Sequence, residues 1–203
     1  MIILKANKTN FLYLLKRSSH IHKPIIFPTD TIYGIGAEID NIEANLFIYE
    51  AKYRTLTKSF PILIGSIEQL KMLVEKITPL QMAIIKKFWP GPFTFILYAK
   101  AELNNIYKNN NKVALRFPNL TWLCEALKER NSPITATSAN ISNCEYSNDI
   151  ENIVNTFKES VPFYLYNDSV NTQSSTIIDI SDESNIKFIR NPLMLSLRDI
   201  TFI

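Results

Sequence analysis

Residues Ile25–Gly36 read IIFPTDTIYGIG, an apolar run that ends in a cluster of polar side chains and then resumes. Pro28 has no N–H to donate to a sheet, so we expect the first strand to end there. Gly34 and Gly36 permit close backbone approach or positive φ where the chain re-enters the core. The segment therefore predicts a strand edge that presents two hydroxyls and a carboxyl to a ligand. An ordinary Asx or Ser/Thr turn between two strands explains the same residues.

The composition is that of an ordinary globular domain. The chain has 203 residues, of which 46% are hydrophobic and 20% charged, and we expect one domain over residues 1–203. A net charge of +3 permits an anionic ligand without requiring nucleic acid. No apolar run is long enough to cross a membrane, and the N-terminus lacks a secretory signal. We therefore expect a cytoplasmic protein with no membrane association.

The residues that commonly bind metals form no recognisable site. Cys124 and Cys144 fit no Cys-x-x-Cys pattern, and His20 and His22 lie in a polar segment near the N-terminus. We assign no metal ligand from the sequence. Asp30 is left with two interpretations, a metal ligand or a group that orients neighbouring hydroxyls.

Apolar, β-rich runs alternate with segments of helical period, which predicts an α/β domain. We predict strands at Ile25–Phe27, Pro61–Gly65, Phe93–Leu97, Val113–Phe117, Pro133–Thr137, Phe163–Tyr166, Thr176–Ile180 and Ile186–Arg190.

Three helix starts carry an N-cap residue with a partner three positions later. The pairs are Ser66 with Gln69, Thr78 with Gln81, and Asn148 with Glu151. Further helices are predicted near Thr9–Arg17, Ile42–Arg54 and Leu120–Arg130. The polar segments 104–112 and 168–175 are predicted to be surface loops, the second of them near a cleft.

Cations cluster after one predicted helix and at two predicted strand ends. Lys52, Arg54 and Lys58 lie within seven residues, a pattern that a solvated helix C-terminus also explains. Arg116 and Arg190 interrupt the ends of apolar strands. Cations at converging strand ends would surround the crevice where open α/β sheets bind ligands. Structural ion pairs are the alternative, with Asp30, Glu38 and Asp179 as the candidate partners.

Short hydroxyl side chains lie at the ends of two more predicted strands: they follow the strand in ITATSANIS (134–142), and Ser174–Thr176 precedes Ile177. Such hydroxyls donate and accept hydrogen bonds at little entropic cost, so they suit phosphate, ribose or a small polar substrate. Both histidines are far from these motifs in sequence, so a nucleophilic serine is not expected. An N-cap or turn role for Ser138 is the alternative.

Taken in order, these motifs resemble the YrdC/TsaC threonylcarbamoyl-AMP synthases from about Ile25 to Arg190. The motifs are PTDTIYG (28–34), Lys52-x-Arg54 with Lys58, FWPGPFT (88–94), VALRFP (113–118), TSAN-x-Ser (137–142), Ser175-Thr176 and Arg190. The resemblance implies a single domain with a twisted mixed sheet, flanking helices and a basic concave face.

The resemblance also implies a reaction. L-Threonine, bicarbonate or CO2, and ATP would give L-threonylcarbamoyladenylate and pyrophosphate, with Mg²⁺ expected alongside the nucleotide. A tRNA-modifying transferase complex would then transfer the group to tRNA, and weak tRNA binding by this chain is left open. Two alternatives remain: a noncatalytic RNA-binding module and a carbamoyl-transfer domain of the same fold.

Residue roles carried over by position fall into two groups. Candidates for binding threonine are Thr31, Thr137, Ser175 and, less certainly assigned, Arg116. Candidates for binding ATP are Lys52, Arg54, Lys58, Ser138, Asn140, Ser142 and Arg190, with Lys52 and Arg54 taken as catalytic. The carbamate of threonine is already an anionic nucleophile, so the residues need only position the reactants and neutralise charge.

Three positions depart from the family pattern. Ser59 stands where a proline commonly follows the lysine, Asn143 replaces a glycine, and Asn191-Pro192 replaces a glycine-containing turn. Because Asn tolerates left-handed φ, we expect Asn143 to preserve its turn. Pro192 puts the contacts of Arg190 in doubt.

Overall fold

The α/β class is confirmed by a computed structural model, which describes residues 1–171 and 173–201. Residue 172 of the predicted 168–175 loop lies outside the described residues, as do residues 202 and 203. The helices are α1 (Lys8–Ile21), α2 (Ile42–Ala51), α3 (Ile67–Leu73), α4 (Pro79–Phe88), α5 (Thr121–Arg130), α6 (Ile150–Phe157) and α7 (Leu197–Thr201). The strands are β1 (Ile2–Lys5), β2 (Ile25–Pro28), β3 (Tyr33–Gly36), β4 (Ile62–Leu63), β5 (Phe93–Tyr98), β6 (Lys112–Arg116), β7 (Ile134–Thr135), β8 (Thr137–Ser138), β9 (Phe163–Tyr166), β10 (Thr176–Asp179) and β11 (Lys187–Arg190).

The strands form two mixed sheets rather than one. The five-stranded sheet has the order β1-β9-β2-β3-β8, and the six-stranded sheet has the order β11-β10-β5-β6-β4-β7. The segment predicted as one strand over Pro133–Thr137 divides at Ala136: β7 pairs with β4 in one sheet, and β8 pairs with β3 in the other. The two sheets therefore meet at the hydroxyl-rich segment 134–138.

Alternation along the strands explains where the core lies. In β2, Ile25 and Phe27 pack into an apolar cluster with α1 and α5, whereas Ile26 packs into a second cluster with α2 and α6. Helices therefore cover both faces of the five-stranded sheet. In β5, Phe95 and Leu97 pack into a third cluster, with α3 and α4. That cluster occupies one face of the six-stranded sheet.

The β2–β3 hairpin confirms part of the prediction for its glycines. Ile25 pairs with Gly36 and Pro28 with Tyr33, so β2 ends at Pro28 as expected. A Cβ on Gly36 would lie 1.7 Å from the carbonyl oxygen of Thr135, so close backbone approach requires glycine there. Gly34 has ordinary van der Waals room, and neither glycine has positive φ.

The predicted N-cap residues are confirmed at two of the three helix starts. Thr78 and Gln81 form a reciprocal capping box, and Ser66 accepts from the Gln69 N–H. At α6 the prediction is wrong by one residue, because Asp149 rather than Asn148 accepts from the backbone N–H of Glu151. Asn and Asp are about equally good caps, so the sequence does not discriminate between adjacent ones. In the described part of the chain, no helix is both long and apolar enough to cross a membrane.

Candidate active site

A cavity of about 300 Å³ lies on the face of the six-stranded sheet opposite the core. The period of two that buries Phe95 and Leu115 turns Thr94, Ala114 and Arg116 toward this cavity. Thr31 from the β2–β3 turn and Thr137 from the sheet junction also line it. Residues from both sheets therefore form its wall.

Arg116 is hydrogen-bonded to three other residues. Its guanidinium is buried and donates to the Gly91 carbonyl at 3.2 Å, to Thr31 Oγ1 at 2.6 Å and to Asp30 Oδ1 at 2.6 Å. The other oxygen of Asp30 accepts from the Asn119 N–H at 3.0 Å. Burial lowers the pKa of Arg116, and the Asp30 carboxylate opposes that shift. The ion-pair interpretation of Arg116 is thus confirmed, and so is its position beside a pocket.

The other two candidate acidic partners are engaged elsewhere. Asp179 pairs with Lys112 at 3.0 Å, and Glu38 pairs with Arg130 at 2.8 Å. Among the described residues, no carboxylate oxygen lies within ion-pair distance of Arg190, the last residue of β11. The cations at the strand ends therefore do not all belong to structural ion pairs.

Arg190 instead binds the hydroxyl segment before β10. Its Nε donates to the Ser175 carbonyl at 2.8 Å and its Nη2 to Ser175 Oγ at 3.0 Å. Ser175 Oγ also shares a 2.9 Å hydrogen bond with Thr94 Oγ1. Burial, and then the charge of Arg116, lower the pKa of Arg190. Arg190 thus reaches the cavity although Pro192 follows it closely.

The two threonines of the first motif are coupled to each other. Thr29 Oγ1 lies 3.0 Å from Thr31 Oγ1, and it also accepts from the Thr31 and Ile32 N–H groups. This is the side-chain turn that was the alternative interpretation of the segment. The turn and the cavity lining coexist, because the bonds of the turn orient Thr31 toward Arg116.

A second, smaller compartment of about 160 Å³ adjoins the first. Arg54 and Ser138 line both compartments. The smaller one is also lined by Lys58, Asn140 and Ser142. A ligand that fills both compartments would therefore pass between Arg54 and Ser138.

Lys52 is buried beneath this compartment, with 1% of its surface exposed. Its ammonium donates to the carbonyl oxygens of Ser138 and Asn140, and Asn140 Oδ1 lies 3.4 Å away. Burial, and then the charge of Arg54, lower the pKa of Lys52 to about 7. The side chain that the sequence suggested as a ligand contact thus anchors the backbone of the 138–140 segment.

Arg54 spans the loop that follows α2. Its Nε donates to the Lys58 carbonyl at 3.1 Å and its Nη2 to the Ser59 carbonyl at 3.0 Å, while Nη1 lies 3.5 Å from Thr137 Oγ1. The guanidinium carbon lies 5.0 Å from the centroid of the Phe60 ring. Burial lowers the pKa of Arg54. A partly buried cation without a carboxylate partner among the described residues favours an anionic ligand.

Ser142 has the one buried hydroxyl among the described candidate residues that makes no hydrogen bond. Its backbone N–H donates to the Lys52 carbonyl at 2.9 Å, which fixes the loop. Asn143 follows with a φ of 64°, so the prediction that Asn143 adopts the left-handed conformation is confirmed. The oxygen itself has less than 1 Å² of exposed surface, so a ligand reaches it only after the side chain rotates.

The structure brings all the predicted site residues to the two compartments. The larger one is lined by Thr31, Thr137, Ser175, Arg116 and Arg190, the smaller one by Lys52, Lys58, Asn140 and Ser142, and both by Arg54 and Ser138. Sequence reasoning placed the Thr29 hydroxyl at the same strand edge as Thr31 without assigning it a ligand, and it gave no role to Thr94. The signal for Thr94 was present, since it is a hydroxyl inside the apolar run FTFIL.

Metal ligands are not grouped in the part of the chain that the structure describes, where no three His, Cys, Asp or Glu side chains converge. Both carboxylate oxygens of Asp30 are engaged, by Arg116 and by the Asn119 N–H. These contacts support the interpretation in which Asp30 orients its neighbours.

Comparison with known proteins gives consistent matches. The Sua5/YciO/YrdC family model, described as "Telomere recombination", matches residues 21–191. The threonylcarbamoyl-AMP synthase of Psychromonas ingrahamii is 29% identical over 196 residues, which cover 94% of this chain and all of that protein. The threonylcarbamoyl-AMP synthase of Bacillus subtilis is 35% identical over 120 residues, which cover 58% of this chain and 35% of that protein.

A solved structure agrees over most of the chain. Sua5 of P. abyssi, crystallised in complex with L-threonine, superimposes with a TM-score of 0.83 at 27% identity. The match covers 94% of this chain and 57% of the P. abyssi chain, so the chain spans only part of the length of several relatives. Because the family model matches well over half of the residues, the chain belongs to the Sua5/YciO/YrdC family.

Proposed function

We propose that the chain is a nucleotidyltransferase that makes L-threonylcarbamoyladenylate from L-threonine, bicarbonate or CO2, and ATP, with release of pyrophosphate. The observation that carries this proposal is the meeting of two polar compartments at Arg54 and Ser138. A relative whose match covers 94% of the chain is named threonylcarbamoyl-AMP synthase, which supports it.

Threonine is assigned to the larger compartment. Hydroxyls of Thr31, Thr137 and Ser175 line it, together with the guanidinium groups of Arg116 and Arg190. Hydroxyls match the hydroxyl of threonine, and guanidinium groups match its carboxylate. The P. abyssi relative crystallised with L-threonine supports this choice of ligand.

ATP is assigned to the smaller compartment. Lys58 and Arg54 offer positive charge, while Asn140 and Ser142 offer short polar side chains. The compartment of about 160 Å³ is smaller than typical ligand pockets of roughly 300–1,000 Å³. The nucleotide must therefore extend past its walls, with the α-phosphate toward the junction.

The proposed reaction then takes place at the junction. The threonine amine adds to CO2 and loses a proton, which gives a carbamate. A carbamate oxygen attacks the α-phosphorus, and the bond from that phosphorus to the pyrophosphate oxygen breaks. Arg54 neutralises charge on the phosphates at this point. Arg190 lines the larger compartment, so in this proposal it faces the carbamate and α-phosphate rather than the base.

Lys52 has an indirect role in the proposal. Its three nearest acceptors are oxygens of the protein itself, in Ser138 and Asn140. We therefore treat Lys52 as a positioning residue that holds the 138–140 segment, instead of a group that touches phosphate. Arg54 remains the proposed catalytic residue.

Mg²⁺ enters this proposal as part of the substrate, the MgATP complex. The described residues form no carboxylate cluster for it, and Asp30 is fully engaged. Mg²⁺ commonly takes one or two carboxylates along with water and substrate phosphates, so a dedicated protein site is not required.

The test is pyrophosphate release from ATP and bicarbonate in the presence of each amino acid in turn. Threonine is expected to give the signal. Serine, which lacks the methyl group, and valine, which replaces the hydroxyl by a methyl group, are the matched controls. Pyrophosphate release at the same rate without any amino acid, or with valine as well as threonine, would contradict the proposal.

Partners of the reaction are part of the same proposal. The adenylate would be consumed by a tRNA-modifying transferase complex in the cytoplasm, and weak binding of tRNA to this chain belongs to the same proposal. The names of the relatives do not favour the two alternatives, an RNA-binding module and a carbamoyl-transfer domain.

A further inference from the structure

Tyr53 lies at the mouth of the smaller compartment. The residue is 82% exposed, yet it lines that compartment together with Asn140 and Ser142. It lies between Lys52 and Arg54 in sequence, and no role was predicted for it. The surroundings of Tyr53 therefore call for a physical explanation.

The backbone of Tyr53 is unusual for so large a residue. Its φ is 50°, in the left-handed region that L side chains seldom adopt. Four of the seven described residues with positive φ are Asn, the non-glycine residue that tolerates this region well, and Tyr53 carries the largest side chain of the seven. The Tyr53 N–H donates to the Glu50 carbonyl at 3.0 Å and the Arg54 N–H to the Tyr49 carbonyl at 2.8 Å, so Tyr53 takes the left-handed position that ends α2. Glycine usually occupies that position, whereas this chain carries an aromatic ring there, beside the compartment.

The same compartment offers an unsatisfied polar group. Ser142 Oγ is buried and has no hydrogen-bond partner, and a buried hydroxyl normally has one. The two amide atoms of Asn140 are occupied, by Ser138 Oγ at 2.6 Å and by the Cys144 carbonyl at 2.7 Å. A ligand at the mouth therefore meets the ring of Tyr53 first, while the Ser142 hydroxyl is buried in the wall.

We infer that Tyr53 is a stacking platform for the base of the bound nucleotide and a determinant of nucleotide affinity. The inference rests on the proposed function, because it takes ATP as the ligand. Arg54 is partly buried and lines both compartments, so it attracts the phosphates toward the junction, which directs the base outward to the exposed Tyr53. Aromatic rings bind bases through their π faces, and purines offer the larger face.

The test measures ATP binding by calorimetry, without threonine, to the full chain and four variants. Tyr53→Ala and Tyr53→Gly are expected to weaken binding by roughly ten- to one-hundred-fold. Tyr53→Phe is expected to bind within about twofold of the wild type, because the ring is retained. Tyr13→Ala, which removes another exposed tyrosine, is the matched control and should leave the affinity for ATP unchanged. CTP and UTP should bind the wild type more weakly than ATP does. Tyr53→Ala should reduce the affinity for CTP and UTP by a smaller factor than the affinity for ATP.

Stability measurements separate binding from folding. Tyr53→Gly suits a φ of 50°, so its thermal midpoint should not fall below that of the wild type. Unchanged ATP affinity in Tyr53→Ala, or an equal loss in Tyr53→Phe, would overturn the inference while threonine-dependent pyrophosphate release stands. Wild-type binding of ATP that depends on Tyr53, without such release, would instead overturn the proposed function alone. Failure of the wild type to bind ATP would overturn both.

Discussion

Arg116 Nη1 donates a hydrogen bond to Thr31 Oγ1 over 2.6 Å, which joins the end of β6 to the turn between β2 and β3. Arg116 ends a strand of the six-stranded sheet, Thr31 lies in a turn of the five-stranded sheet, and both line the larger compartment. The orientation of the Thr31 hydroxyl therefore depends on how the two sheets pack. Asp30 completes the contact, since it binds the same guanidinium from the same turn.

Arg116→Met should lower the free energy of unfolding by about 3–5 kcal/mol, because it leaves the Asp30 carboxylate without its partner in a poorly solvated site. Asp30→Asn neutralises the partner and keeps an oxygen for the Asn119 N–H. We expect the double variant to lose less than the sum of the two single variants, measured by urea denaturation. Strict additivity would show that the pair contributes no coupling energy.

Gly36→Ala should destabilise the fold by about 3 kcal/mol or more, because the new Cβ would lie 1.7 Å from the Thr135 carbonyl oxygen. Gly34→Ala is the matched control in the same strand. Its Cβ would meet its nearest neighbour at 3.5 Å, so a change within about 1 kcal/mol is expected. Denaturation midpoints of the two variants test this contrast. Equal losses would mean that the close approach at the sheet junction is relieved by a small backbone shift.

The pKa of Lys52 predicts a pH dependence of stability. Burial lowers this pKa to about 7 in the folded protein, while the unfolded chain holds its proton up to about 10.5. Between these values the unfolded state binds more protons, so Lys52 adds stability as pH rises, by at most about 1.4 kcal/mol per pH unit. Lys52→Met removes the titrating group. The difference in unfolding free energy between wild type and variant should therefore increase from about pH 7 to about pH 10. A constant difference over that range would contradict the assigned pKa.

Arg54→Ala should lower kcat/KM for threonine-dependent pyrophosphate release by about 10²–10³, because one preorganised cation at the junction is lost. Arg54→Lys keeps the charge and loses the planar fork that binds the carbonyls of Lys58 and Ser59, so an intermediate rate is expected. We expect thermal midpoints close to that of the wild type for both variants. Full activity of Arg54→Ala in an intact fold would remove Arg54 from the proposed mechanism.

Much of the fold could be predicted from local patterns. The apolar runs at β5, β6 and β9 coincide with strands, and the capping box at Thr78 coincides with the start of α4. These features depend on residues close in sequence. The division of the 133–137 run between two sheets depends on which distant strands pair with β7 and β8, and no local pattern encodes that choice.

Some short elements were missed for a related reason. The strand β1 has only four residues and exposes alternate side chains, and its pairing with β9 across the whole chain defines it. Its alternation in the sequence MIILK was a usable but weak signal. The helix α1 runs four residues beyond its predicted end at Arg17, to Ile21.

The sequence predicted which residues line the candidate site better than it predicted what each of them does there. Hydroxyl and cation motifs marked the residues that line both compartments. The burial of Lys52 was not predictable, because its contacts are backbone carbonyls of residues 138 and 140, which lie far away in sequence. For the same reason, the pairing of Asp30 with Arg116 became evident only in the fold.

The most direct test of the central claim follows the carbon atom that joins the two substrates. The wild-type protein is incubated with ATP, L-threonine and ¹³C-labelled bicarbonate, and the nucleotide products are examined by mass spectrometry. The proposed reaction predicts a labelled adenylate that forms with threonine, is absent with valine, and accumulates in step with pyrophosphate. Pyrophosphate without label in any nucleotide product, or no reaction at all, would contradict the claim that this chain joins threonine, bicarbonate and ATP.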